Sequence, residues 1–228
     1  MKNFAILHIF LIFVPPNHSK MDTFATEKDV LTLPLAEEFY SVQGEGVNTG
    51  RAAYFVRLAG CDVRCPFCDS KSTWSASSGS PTPVDDIAAR AAASGCRNVV
   101  ITGGEPLMHN LDALCAALRR LGLSIWLETS GAHGLSGSFD WICVSPKSPR
   151  PPLDEVLARA DELKVVVEGE ESLSTAEQYA SKVPDTCQLL LQAEWDSRNA
   201  VHPLMFEYVL RHPRWRISIQ THKILNIR

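Results

Sequence analysis

Three thiols crowd into one short stretch, Cys61-Asp62-Val63-Arg64-Cys65-Pro66-Phe67-Cys68, spaced C-x3-C-x2-C. Three sulfurs on so short a loop can wrap three corners of a cubane iron–sulfur cluster, for which thiolates are the usual ligands. With three protein ligands the fourth iron stays open to bind something else. The rival chemistry is a zinc knuckle, which wants four closed ligands. No histidine or fourth cysteine lies close in sequence to complete one. Cys96 and Cys115 fall in or beside helical stretches and read as small core residues.

A second segment, Thr102-Gly103-Gly104-Glu105-Pro106, joins a permissive backbone to a carboxylate. Glycines let a chain pass close to a ligand, and a carboxylate can pair with an ammonium. Taken alone, the pair of glycines could equally be a turn. The same holds for Gln43-Gly44-Glu45-Gly46, which by itself reads as a polar turn, and for His222, which by itself reads as a surface histidine.

Such residues need a frame. Short apolar runs at 53–58, 98–102, 124–128, 141–144, 163–167, 188–192 and 216–220 have strand length. Helical stretches are predicted at 85–93, 111–121, 153–160, 175–181 and 199–211, the first two stopping at Gly95 and Gly122. Apolar strands separated by helices indicate an α/β fold, a mostly parallel sheet covered on its faces. At 228 residues the chain is shorter than an eight-fold barrel of about 250 residues, so a partial, open TIM-like barrel is expected. In such folds function sits at the carboxyl ends of the strands. The cysteines, Gly103-Gly104-Glu105, Thr129-Ser130, Ser145-Pro146-Lys147, Gln192 and Gln220-Thr221-His222 all follow strands there.

Composition narrows the setting. A net charge of −4 with no basic block gives no reason to expect nucleic acid. Seven cysteines, three of them clustered, do not resemble a secreted disulfide scaffold. They favour a reducing compartment, so a cytoplasmic protein is expected. The apolar run at 4–14, preceded by Lys2, superficially resembles a signal peptide, is too short to span a bilayer as a helix and is followed by no small-residue cleavage pattern. Residues 1–20 are expected to be a leader outside the fold, with translation starting at Met21 and one domain over 21–228; an export signal is the alternative. No membrane association is expected.

The cysteine spacing and the Gly-Gly-Glu turn together resemble the radical S-adenosylmethionine (SAM) superfamily. That resemblance implies a 4Fe–4S cluster on Cys61, Cys65 and Cys68, with SAM chelated at the open iron and cleaved by the reduced cluster. The resulting 5′-deoxyadenosyl radical abstracts a hydrogen atom. It also implies SAM contacts from Phe67, Gly103, Gly104, Glu105, Ser130, Ser145, Lys147 and Gln192, and an electron donor such as a flavodoxin or ferredoxin. The cofactor carries the chemistry, so no side chain is expected to be catalytic in its own right.

Four further segments resemble a narrower family, the 7-carboxy-7-deazaguanine synthases: 38–46 with its Gln-Gly-Glu-Gly, 55–60, Cys68-Asp69-Ser70, and 218–223 with its Gln-x-His-Lys. The likeness runs from about residue 36 to the C-terminus. It implies conversion of 6-carboxy-5,6,7,8-tetrahydropterin to 7-carboxy-7-deazaguanine with loss of ammonia, in 7-deazapurine biosynthesis of the queuosine type. It also implies substrate contacts from Gln43, Gly44, Glu45, Gly46, Arg57, Gln220 and His222, a Mg²⁺ ion on the Ser70 hydroxyl, and a homodimer. Two departures stand out. Ser70 replaces the threonine common in the family, and Gln192-Ala193-Glu194-Trp195 lacks the proline expected soon after the glutamine. The rival enzyme is a glycyl-radical activating enzyme acting on a protein, and the rival non-enzyme is a zinc-binding module. A C-terminal histidine folding back onto the Gln-Gly-Glu-Gly turn would favour a closed pocket for a small heterocycle over the open groove a protein needs.

Overall fold

The structure is a computed structural model that describes residues 30–227. The leader expected at residues 1–20 lies outside them. Nine strands occur in order: β1 (Thr32–Val42), β2 (Ala52–Leu58), β3 (Ser80–Pro83), β4 (Asn98–Gly103), β5 (Ser124–Thr129), β6 (Trp141–Val144), β7 (Glu162–Val167), β8 (Gln188–Ala193) and β9 (Trp215–Ser218). The helices are α1 (Val84–Ala93), α2 (Asp112–Arg120), α3 (Asp154–Leu157), α4 (Glu170–Ala180), α5 (Arg198–Arg211) and α6 (Thr221–Leu225).

All nine strands form one open sheet, ordered β3-β1-β2-β4-β5-β6-β7-β8-β9. From β2 to β9 every neighbouring pair is parallel. These parallel strands are the apolar runs read from the sequence, and the sheet does not close, as a partial barrel requires. Two antiparallel strands, β1 and β3, extend one edge and were not expected. β1 carries Glu37, Glu38 and Ser41 and is only half-buried, so it lacks a continuous apolar run. β3 holds Pro81 and Pro83, which a sheet tolerates at its edge.

Strand alternation divides the side chains between two environments. One face presents Ile125, Leu127, Ile142, Val144, Leu163, Val165, Leu189 and Leu191 to a buried core. Helices complete that core with Ile87, Leu114, Leu118, Leu173, Ala176 and Met205. The other face turns Phe55, Arg57, Val100, Thr102, Glu128, Lys164, Val166 and Gln192 into a cavity. α1 and α2 start with acidic residues and end with arginine, which suits the helix dipole. α4 begins at Glu170, earlier than the predicted 175, because Glu170 and Glu171 form a favourable first turn after Gly169. α3 is a single turn rather than the eight residues predicted.

Candidate active site

The cysteine loop leaves the carboxyl end of β2. Cys61 and Cys65 are buried, Cys68 is half-buried, and all are free thiols. They pack with Val63, Ala132, Phe67 and Trp74. The Cys68 sulfur accepts a hydrogen bond from Ser70 N at 3.4 Å. Burial pushes the Cys65 thiol up, and the nearby Lys147 ammonium opposes this. Lys147 Nζ donates to Ser145 O at 2.7 Å and Ser145 Oγ at 2.6 Å.

The glycine turn after β4 supports this loop from beneath. Gly104 N donates to Leu58 O at 2.9 Å and Glu105 N to Gly60 O at 2.8 Å. A Cβ on Gly104 would fall 2.3 Å from Gly60 O and 2.8 Å from Cys61 Cβ. Glycine is therefore needed here for close approach to the cysteine loop itself. Glu105 is 1% exposed. Its carboxylate accepts from Leu107 N at 3.0 Å, Thr129 Oγ1 at 2.6 Å, Ser130 N at 2.8 Å and Ser130 Oγ at 2.5 Å. Four donors fill its acceptor positions. Glu105 thus braces the ends of β4 and β5, and an ammonium would have to share those acceptors.

The turn after β1 lines the same cavity as the cysteines. Its partners come from the far end of the chain. Thr221 N and Oγ1 each donate to Gly44 O at 2.9 Å. Gln220 Nε2 donates to Glu45 Oε1 at 2.8 Å. Gly46 N donates to Ser218 Oγ at 3.0 Å, which donates onward to Gln192 Oε1 at 2.9 Å. A Cβ on Gly44 would fall 2.3 Å from His222 Nδ1, so the imidazole lies directly against the turn. The fold-back expected from the sequence is present.

The sequence reading missed three charged residues here: Lys164 and Glu128 line the cavity, and Glu162 lies buried behind Gly46. Lys164, on β7, donates to Glu45 Oε2 at 2.7 Å and Glu128 Oε2 at 3.0 Å. Gln43 Nε2 donates to Glu128 Oε1 at 3.2 Å. Glu162 accepts from Val47 N and Trp141 Nε1, both at 3.1 Å. Burial alone would raise the Glu45 pKa, but Lys164 and the Gln220 amide hold it well below the usual carboxylate range. Burial raises the Glu162 carboxyl, and Lys164 opposes that. The available signal was a lysine inside a run of valines in β7 and glutamates inside otherwise apolar strands.

Arg57 and Ser70 line the cavity as well. Arg57 Nε donates to Glu37 at 2.6 Å and Nη1 to Ser70 Oγ at 3.3 Å. Ser70 Oγ donates to Asp69 at 3.2 Å. Lys223 reaches Asp69 at 3.2 Å and also lies 5.1 Å from the Trp195 ring centroid. Trp195, standing where the sequence departs from the family, lines the cavity. The cysteines, Gln43, Glu45, Arg57, Ser70, Glu105, Glu128, Lys147, Lys164, Gln192, Gln220 and His222 line one cavity of about 580 Å³, within the usual range for small-molecule sites.

Residues 56–177 match the model of the Radical SAM superfamily. A 7-carboxy-7-deazaguanine synthase from Flavobacterium psychrophilum is 44% identical over 203 residues, covering 89% of this chain and 96% of that protein. The chain belongs to the 7-carboxy-7-deazaguanine synthase family. A second synthase, from Synechocystis sp., is 46% identical over 198 residues, 87% of this chain and 95% of its own. The crystal structure of QueE from Escherichia coli superimposes with a TM-score of 0.76 at 31% identity, covering 84% of this chain and 95% of that one.

Membership in this synthase family makes the chain a radical SAM enzyme and implies a 4Fe–4S cluster with SAM. The residues present fit both groups. Three free thiols line one end of the cavity. Neither the zinc module nor the glycyl-radical activating enzyme is favoured. No helix of the described residues is long and apolar enough to cross a membrane.

Proposed function

We propose that this chain converts 6-carboxy-5,6,7,8-tetrahydropterin to 7-carboxy-7-deazaguanine with loss of ammonia, in the queuosine-type route to 7-deazapurines. One observation carries the reading. The free cysteines and Gln43, Gly44 and Glu45 of the turn that Gln220 and Thr221 latch line one and the same cavity. That is a pocket for a small heterocycle beside a cofactor.

Cys61, Cys65 and Cys68 would hold a 4Fe–4S cluster, and the cluster with SAM would supply, when bound, the radical chemistry that takes a hydrogen atom from the substrate. Phe67 screens the cluster loop from solvent. Gly103, Gly104, Glu105, Ser130, Ser145, Lys147 and Gln192 form the SAM side of the pocket, with Glu105 fixing Ser130. Gln43, Glu45 and Gln220 offer acceptors and donors to the flat edge of the pterin, with Gly44 and Gly46 giving the turn its shape. His222 closes over Gly44, and Arg57 serves the substrate carboxylate. Ser70 gives a hydroxyl to a Mg²⁺ ion, a metal that prefers oxygen ligands. The enzyme works in the cytoplasm as a homodimer over residues 21–228, reduced by a flavodoxin or ferredoxin.

The test is anaerobic incubation of the reconstituted enzyme with reductant, SAM and the carboxy-tetrahydropterin, followed by mass analysis. We expect 7-carboxy-7-deazaguanine and ammonia in equal amounts. Cleavage of SAM without either product would overturn the substrate assignment.

A further inference from the structure

Lys164 is the most enclosed cation lining the cavity. Its side chain is 4% exposed, while those of its partners Glu45 and Glu128 are 21% and 22% exposed. The carboxylates therefore stand in front, toward the cavity, and the ammonium stands behind them. Each partner also has a second fixed contact, Gln220 on Glu45 Oε1 and Gln43 on Glu128 Oε1. Glu45 also takes a side-chain hydrogen bond from Gln192, and Glu128 one from Cys143. A carboxylate has about four acceptor positions, so each of the two carboxylates, with three donors in the protein, retains one.

We infer that Lys164 is a positioning residue whose ammonium fixes Glu45 and Glu128 as a matched pair of acceptors for a substrate edge made of N–H donors. A 2-amino-4-oxopyrimidine ring presents such an edge through its amino group and ring N–H. The inference deepens the function proposed above and rests on it for the identity of the substrate. Physically, two carboxylates on one cation repel each other once the cation is removed. One must then take up a proton or swing away, and the matched pair is lost. The other charged or titratable groups facing Lys164 are Cys143 on β6, Glu162 on β7 and Lys147 beyond β6. Among these, Glu162 is already engaged by Val47 and Trp141.

The experiment uses the reconstituted enzyme in wild-type, Lys164→Met, Lys164→Arg and Lys164→Met/Glu45→Gln forms. Carboxyl-¹³C glutamate labelling reads the charge state of the pair, and oxidised 6-carboxypterin serves as an unreactive binding probe. In Lys164→Met we expect one new glutamate signal titrating near neutral pH, absent from the wild type and from the double variant. Probe affinity should fall roughly tenfold or more, the scale of a lost hydrogen bond to a charged group. It should recover in part in Lys164→Arg and in the double variant, while SAM affinity stays within about twofold. Should Lys164→Met fail to fold, Lys164→Arg and the double variant still carry the comparison. No new titrating glutamate, or a double variant that binds no better than a folded Lys164→Met, would overturn the inference. A wild type that ignores the probe while Lys164→Met gains the titrating glutamate would instead strike the substrate assignment, leaving the charge-holding role intact.

Discussion

At the residue scale, the cavity wall depends on charge held in place. Glu45 has a folded-state pKa below its ordinary value, because Lys164 and Gln220 outweigh the cost of burial. A depressed carboxylate stabilises the fold above its unfolded pKa, and that stability is lost as pH falls toward the folded value. Glu45→Gln should therefore cost about 1–3 kcal/mol at neutral pH. The gap from wild type should narrow as pH drops below the normal carboxylate range. Denaturant unfolding at neutral and acidic pH measures both, and a gap that stays constant with pH would contradict this reading. Ser70 makes a second case. Its hydroxyl meets Asp69 and Arg57; on the Mg²⁺ role proposed for it, Ser70→Ala should lower turnover and flatten its dependence on Mg²⁺, while Ser70→Thr keeps the oxygen and should be tolerated. Coincident Mg²⁺ titrations for wild type and Ser70→Ala would remove Ser70 as a metal ligand. Lys164, Glu128 and Glu162 were not legible as site residues. A charge in a strand shows its environment only once its neighbours across the sheet are known.

At the scale of elements, strand ends do the positioning. β4 ends in glycines because the cysteine loop passes directly over them. A methyl group at Gly104 must displace Gly60 or Cys61. Gly104→Ala should therefore lower the iron and sulfide retained per chain by severalfold, with overall stability reduced by about 1–3 kcal/mol, as for other overpacked sites. Iron and sulfide analysis after reconstitution, set beside a melting curve, checks this, and a full cluster complement would contradict it. The parallel strands were legible because each is a short apolar run between helices. β1 escaped notice because its polar residues face the cavity and solvent by turns, although its Glu38–Gly46 stretch was read for chemistry. α6 was missed because five residues carry no helical period. The cysteine loop and the Gly-Gly-Glu turn were legible as motifs because their spacing is local, and the structure brings both to the cavity.

At the scale of the whole molecule, the site joins both ends of the sheet. The turn after β1 and the segment after β9 meet through Gln220, Thr221 and His222, although about 175 residues separate them in sequence. The sheet is open, and this latch brings its two flanks around one cavity. The cysteines and the charged group of Glu45, Glu128 and Lys164 line that same cavity. The most direct measurement compares wild type with Cys65→Ala, at equal protein concentration, in anaerobic reactions with SAM, reductant and carboxy-tetrahydropterin, reading 7-carboxy-7-deazaguanine by mass. We expect many product molecules per wild-type chain and none above background from Cys65→Ala. Equal product from the two proteins, or none from a wild type that holds its full complement of iron and sulfide, would contradict the assignment.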